Sequence, residues 1–206
     1  MALQQTRALD RHRRILDAAL QVFSRRGYRD TSVDEIAGAS GTSKGVIYFH
    51  FPNKEAIFLA LLDRTAARLR EKIESALAAH EDPVAKADAA LLTVLRTFAK
   101  HRALARLFMV EALGAGREFH RRMAEIRGEF AAVIQRQLDE AVRQEIIKPI
   151  DTEVAARAWF GALNEVMTGW VLSGRPERLE DTYAALRPFL MHSVGASDQP
   201  RRPDRQ

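Results

Sequence analysis

Between Gly41 and Phe51 the chain reads GTSKGVIYFHF, and its polar groups are of a kind that binds rather than transforms. Thr42 and Ser43 offer hydroxyls that donate or accept, Lys44 a fixed positive charge, and Gly45 a place where backbone can approach a partner closely. Tyr48 follows Lys44 by one helical turn, and His50 and Lys54 come shortly after. Upstream stand Arg7, Arg11, Arg13, Arg14, Arg25, Arg26 and Arg29, so cations flank the stretch as a phosphate-binding face requires. The competing view of those charges is a solvated helix surface. The net charge of +5 makes polyanions plausible partners without selecting one.

Signatures of catalysis are missing. The sequence holds no HExxH, no GxSxG and no P-loop, and its six histidines include no pair spaced i, i+4. His101, Glu111 and His120 are the residues whose convergence an enzyme would need. No enzymatic activity, metal or cofactor is expected. Cysteine is absent, which fits a reducing compartment. Neither a leader peptide nor a run approaching the ~20 apolar residues of a membrane span is visible, so the expected location is cytoplasmic, away from membranes.

The elements that would position these groups all have helical spacing, so the expected fold class is all-α. Ile15, Ala19, Val22 and Phe23 share one face of a helix ending before Gly27. Ser32 with Glu35 forms a capping-box pattern ahead of Val33, Ile36 and Ala37. Ser40-Gly41-Thr42 interrupts that helix, Ser43 can cap the next, and Pro52-Asn53 stops it after His50. A long helix is expected from Lys54 to about Ala79, and another after Asp82-Pro83. A short one, Leu104 to Leu113, should stop at Gly114-Ala115-Gly116. A further long helix carries Phe119 to Leu138 and closes at Lys148-Pro149. Asp151 or Thr152 caps the next, and Pro188 should kink or split a last helix from Leu179 to Val194. The expected domains are 1–53, a compact three-helix unit; 54–194, a larger helical body; and 195–206, a polar disordered tail.

Two short helices around a glycine turn make a helix-turn-helix, Val33–Ala39, Ser40–Thr42 and Ser43–His50. Such a unit lays its second helix in the DNA major groove with the first turn nearest the bases. That assigns Thr42, Ser43, Lys44 and Gly45 to the DNA side, with hydroxyls that can bond either bases or phosphates, and makes Tyr48, His50 and Lys54 candidates for phosphates. Val46, Ile47, Phe49 and Phe51 are expected to pack inward. A half-buried core tyrosine is the competing view of Tyr48.

The run TSVDEIAGASGTSKGVIYFHFPNKEAIF, Thr31 to Phe58, resembles the DNA-binding segment of the TetR family of transcriptional regulators. The preceding ILDAALQVFSRRGYRDTS is similar to that family's first helix, and the likeness is dense from Ile15 to Leu61. The resemblance implies a homodimer that binds a palindromic double-stranded operator, more commonly as a repressor than as an activator. It also implies a small effector held by the C-terminal domain. Thr31, on the same resemblance, would cap the helix that opens the motif and touch a phosphate. A helical interaction protein without operator binding is the alternative of another class.

The segment Thr152 to Leu172 is apolar on two sides and so needs two coverings. Phe160, Leu163, Met167 and Trp170 line one side, and Ala155, Trp159, Ala162 and Val166 line the other, which is the expected dimer seam. A central helix buried within one subunit is the competing view. Phe98, Phe108, Met109, Phe119, Met123, Phe130 and Met167 are candidates for an effector pocket, with Asn164 and Thr168 to orient the ligand. Plain core packing accounts for the same residues. The stretch FGALNEVMTGWVLSG, Phe160 to Gly174, resembles the corresponding helix of TetR-type regulators of fatty-acid degradation. That likeness implies a small hydrophobic effector, a long-chain acyl-CoA, with a multidrug-type compound as competitor.

Overall fold

Capping chemistry sets the helix boundaries in the structure, a computed structural model that describes residues 2–110 and 116–196. Helix α1 (Ala2–Arg26) ends where the Gly27 N–H closes on the Phe23 carbonyl at 2.8 Å. At the start of α2 (Val33–Ser40) the Ser32 hydroxyl accepts from the Glu35 N–H at 3.2 Å, and the Glu35 carboxylate accepts from the Ser32 N–H at 2.8 Å. Both halves of the capping box are therefore made. Ser43 caps α3 (Lys44–His50), accepting from the Val46 N–H at 3.4 Å. Asn53 does the same for α4 (Lys54–Ala78), through Oδ1 to the Ala56 N–H at 2.7 Å. Asp82 serves α5 (Pro83–Lys100), 2.7 Å from the Ala85 N–H. Then come α6 (Arg102–Met109), α7 (Arg117–Arg143) and α8 (Thr152–Ser173), the last capped by Asp151 on the Val154 N–H at 3.0 Å. A 3-10 turn, Leu179–Thr182, leads into α9 (Tyr183–Ser193). Every regular element among the described residues is helical.

Two boundaries depart from expectation. α7 stops at Arg143, short of Lys148-Pro149, because Glu145 takes a φ of 57° and the Ile146 N–H turns back to the Ala141 carbonyl at 2.9 Å. That reversal returns Ile147 to the core, where it is buried. Pro188 lies inside α9 without splitting it, and the change of winding occurs upstream at the 3-10 turn. Glu111, the expected helix end at Leu113 and the tail beyond Ala196 lie outside the described residues.

The chain groups into two compact units, residues 1–69 with 101–125, and residues 70–100 with those from 126 on. The expected break at 53/54 does not coincide with this division, since α4 and α7 each contribute residues to both units. In the first unit Phe58 is the hub of an aromatic cluster, its ring 5.2 Å from Phe23, 4.7 Å from Tyr28 and 5.4 Å from both Phe108 and Phe119. Tilted and edge contacts at these separations suit the quadrupoles of the rings. Ile15, Ile36, Ile47, Ile57 and Leu61 are fully buried in the same unit. The second unit packs Leu138, Ala141 and Ile147 against Ala156, Met191 and Val194. Arg187 of α9 grips Asp88 of α5 there with two bonds, at 2.7 and 3.1 Å. Among the described residues no helix is long and apolar enough to cross a membrane.

Removing the hub ring should cost far more than removing an exposed one. Phe58→Ala is expected to lower the unfolding free energy by about 3–5 kcal/mol in a urea titration. The chemically identical Phe49→Ala, at a position 85% exposed, should change it by less than about 0.5 kcal/mol.

Candidate nucleic-acid interface

The turn between α2 and α3 is built on Gly41, whose φ of 64° lies in the left-handed region that a side chain disfavours. The Thr42 N–H reaches the Ala37 carbonyl at 3.1 Å, closing the C-terminus of α2. Ser40 Oγ donates to the Ala37 carbonyl at 3.1 Å, and Thr42 Oγ1 lies 2.8 Å from Ser40 Oγ. Either hydroxyl can donate in that pair, so Thr42 can meet a partner as an acceptor when it donates to Ser40.

On α3 the inward side is set by Ile47, fully buried, and by Phe51 just after the helix, 4% exposed. Gly45 and Phe49 occupy the opposite side, Lys44 and Tyr48 flank it, and all four are exposed. Phe49 corrects the expectation that it packs inward. It lies two positions beyond Ile47, about 200° around the helix axis, so the packing that buries Ile47 turns Phe49 out. A methyl group placed on Gly45 would find its nearest neighbour, Ser43 Oγ, 4.0 Å away, so the surface there is open. Lys44 Nζ donates to Asp34 Oδ2 of α2 at 2.8 Å. This bond and the Asp34 charge hold the ammonium above its ordinary pKa. Both partners are exposed, so the pair exchanges readily for another anion.

Three residues expected at phosphates are turned toward their own chain. Thr31 is buried, and its hydroxyl donates to the Gly27 carbonyl at 2.7 Å; the cap of α2 is Ser32 instead. The Lys54 ammonium donates to the carbonyls of Tyr28 at 2.8 Å, Arg29 at 3.1 Å and Thr31 at 2.9 Å, and lies 4.7 Å from the Tyr28 ring centre. All three of its protons point into its own chain. His50 turns Nε2 inward, buried and without a hydrogen-bond partner among the described residues. Its ring stands edge-on to His12 at 6.2 Å, while His12 tilts over Phe51 at 4.8 Å. Burial first, then His50 and Arg64, push the His12 imidazole below its usual pKa. Of the flanking arginines, Arg14 binds the Ser40 carbonyl at 3.1 Å and Arg26 binds Glu35, while Arg11, Arg25 and Arg29 are exposed.

The expected effector residues divide between the units. Phe108 and Phe119 belong to the Phe58 cluster, which is core, and Met109 and Met123 lie half-buried in the same unit. In the second unit Met167 is buried, while Phe98, Phe130, Asn164 and Thr168 are half-buried. The Thr168 hydroxyl donates to the Asn164 carbonyl at 2.8 Å, one turn back in its own helix, so that proton is not available to orient a ligand. An apolar recess of about 30 Å³ opens between Val84, Leu138, Trp159 and Met191. It would hold little more than one water molecule.

The residues expected at the seam on α8 have partners within their own unit or are half-buried. Ala155 and Trp159 pack on their own unit's core, and Trp159 Nε1 donates to Ser193 Oγ at 3.0 Å. Ala162 and Val166 are half-buried. The exposed stripe is one position over, Val154, Ala158, Gly161, Glu165, Gly169 and Leu172. On α9 Phe189 is 62% exposed.

Against known proteins, residues 15–61 match the family described as bacterial regulatory proteins, tetR family. Residues 80–187 match the tetracyclin repressor-like C-terminal domain. The fatty acid metabolism regulator protein of Bacillus subtilis (strain 168) is 28% identical over 166 residues, 79% of this chain and 84% of that protein. The fatty acid degradation regulator FadR from Bacillus halodurans has a TM-score of 0.82 at 26% identity, covering 91% of this chain and 97% of that one. FadR from Bacillus subtilis, solved in complex with stearoyl-CoA, shares the fold with a TM-score of 0.80 at 24% identity, over 89% and 98% of the two chains.

The two lysines should separate in a stability measurement. Lys54→Met leaves the carbonyls of the α1–α2 turn without their donor and is expected to lower the unfolding free energy by about 1.5–3 kcal/mol. Lys44→Ala, at an exposed ion pair, should leave the urea midpoint in place.

Proposed function

We propose that this chain, a member of the tetR family of bacterial regulatory proteins, represses transcription as a homodimer on a palindromic operator and lets go when it binds a long-chain acyl-CoA. The observation that carries the DNA reading is the exposure of Lys44, Gly45 and Tyr48 on α3 while Ile47 anchors the same helix by being fully buried. In the major groove Thr42, when it donates to Ser40, would accept from the amino group of adenine or cytosine. Lys44 would exchange Asp34 for guanine or phosphate oxygens, and the Tyr48 hydroxyl would hold a phosphate. Gly45 lets the groove edge come close.

A palindrome is read by two such helices about 34–36 Å apart. The stripe on α8 supports pairing with a second copy. Its small residues, Ala158, Gly161 and Gly169 on either side of Glu165, allow close helix approach, and Val154, Leu172 and Phe189 leave apolar area in water. The effector class rests on the fatty acid regulators among the relatives and on the stretch Phe160 to Gly174. Phe98, Phe130 and Asn164 are the residues we assign to it in the second unit. An acyl-CoA can release DNA only by binding the DNA-free spacing of the dimer more tightly than the bound one. The site of action is the cytoplasm, where operator and acyl-CoA meet.

A mobility-shift titration with the DNA flanking the protein's own gene tests the reading. The shifted band should weaken steeply with salt, as counterions released from phosphates require. Micromolar oleoyl- or stearoyl-CoA should abolish it. A band indifferent to acyl-CoA would remove that effector while keeping the regulator. Lys44→Ala with Tyr48→Phe should cost about tenfold or more in affinity with unchanged helix content.

Pairing is tested separately by sedimentation. Leu172→Glu with Phe189→Glu is expected to convert a dimer into a folded monomer; a wild-type chain that sediments as a monomer would overturn the symmetric arrangement.

A further inference from the structure

One residue on the solvent face of α3 has no polar role. The Phe49 ring is 85% exposed, and its recorded ring contact is the edge of the neighbouring His50 at 5.3 Å. It carries no donor or acceptor, so neither a phosphate nor a base edge can hydrogen-bond it. It nevertheless stands beside Tyr48 and one turn after Gly45, on the exposed side of α3. Gly45 lies one turn before it on the same side, and a methyl group placed there would meet only Ser43 Oγ, at 4.0 Å, so the surface next to the ring is open.

The edges of base pairs in the major groove are polar with one exception, the 5-methyl group of thymine. We infer that Phe49 is a specificity residue, packing its ring on a thymine methyl in each half of the operator. The inference rests on the reading that α3 enters the major groove and adds to it a base identity. Tyr48 and Phe49, adjacent in the chain, divide the work. The phenol meets the backbone, and the phenyl ring meets a base that cytosine, lacking the methyl, cannot replace. Because the ring is exposed and makes few contacts within the protein, its removal leaves the fold intact.

The test begins with a duplex enriched by the wild-type protein from a random pool. Each dT in it is replaced singly by dU, which deletes the methyl and keeps every hydrogen-bonding group. Wild type should lose about fourfold in affinity at one thymine per half-site, the factor that burial of a single methyl implies. Replacing the symmetric pair together should cost about fifteenfold, since the two losses multiply. Phe49→Ala should bind the dT and dU duplexes alike, and Phe49→Leu should regain part of the discrimination. Cytosine placed at the sensitive position should bind better when 5-methylated. Tolerance of dU throughout by wild type, or methyl sensitivity that survives in Phe49→Ala, overturns the assignment to this ring. If no duplex is enriched at all, groove binding itself fails and the assignment falls with it, an outcome visible before any Phe49 variant is made.

Discussion

The ammonium of Lys54 collects the carbonyls of Tyr28, Arg29 and Thr31, and the geometry of the candidate interface depends on that convergence. Those carbonyls belong to the turn joining α1 to α2, while Lys54 is the first residue of α4. The bond set therefore ties the end of the motif to its beginning, with α2 and α3 held between. A point charge with three rotatable protons suits three carbonyls arriving from different directions; the planar fork of an arginine would not. The Tyr28 ring adds its face at 4.7 Å and passes the constraint to Phe58, against which it packs. A cation that composition assigns to solvent or to phosphate thus becomes a rivet between backbone and aromatic core.

That rivet matters because α3 has only seven residues and little helical stability of its own. Its rotation about its axis is decided by what it buries, Ile47 within the helix and Phe51 after it. Once these are fixed, Gly45 and Phe49 have no freedom but to face outward, and Lys44 and Tyr48 flank them at the exposed margin. Polar groups around them are already ordered. Ser43 is occupied in capping, Thr42 in its bond with Ser40, and Lys44 in an exchangeable pair with Asp34. A surface prepared in this way spends little conformational entropy on meeting a rigid partner. The Asp34 pair also sets a threshold, because an anion must compete with a carboxylate already in place.

Local rules made much of the fold legible. Ser32, Ser43 and Asp151 cap where hydroxyls and carboxylates at helix starts belong, and Pro83 sits in a first turn. Interactions that escaped the sequence are those between residues far apart in it. No spacing rule leads from Lys54 to carbonyls more than twenty positions upstream, or from Lys44 back to Asp34. Thr31 was assigned to DNA by likeness alone, whereas its hydroxyl satisfies the Gly27 carbonyl. Phe49 could have been placed outward from the interval separating it from Ile47; the habit of burying phenylalanine hid it. The expected pocket residues Phe108 and Phe119 are bulky rings at helical spacing, a pattern that core and cavity walls share until contacts are known.

α8 carries the same lesson further. Its residues are apolar around most of the circumference, so periodicity reveals that two faces need cover and not which face lies inward. Met167, Trp170 and Val171 settle the inner face by being buried, and Trp159 is drawn toward it by its bond to Ser193. What remains outside is a row of the small residues Ala158, Gly161 and Gly169, interrupted by Glu165 and ending in Val154 and Leu172, about 100° from the stripe expected to pair. Glycine and alanine in the middle of an exposed helix contribute little to holding a ligand and much to letting another backbone near. Under the proposed dimer, this places the partner's helix against the narrow centre of the stripe, with Phe189 filling the wider margin. A symmetric seam of that kind would be stiff. An effector acting through it would have to change how the two copies are set rather than loosen either one.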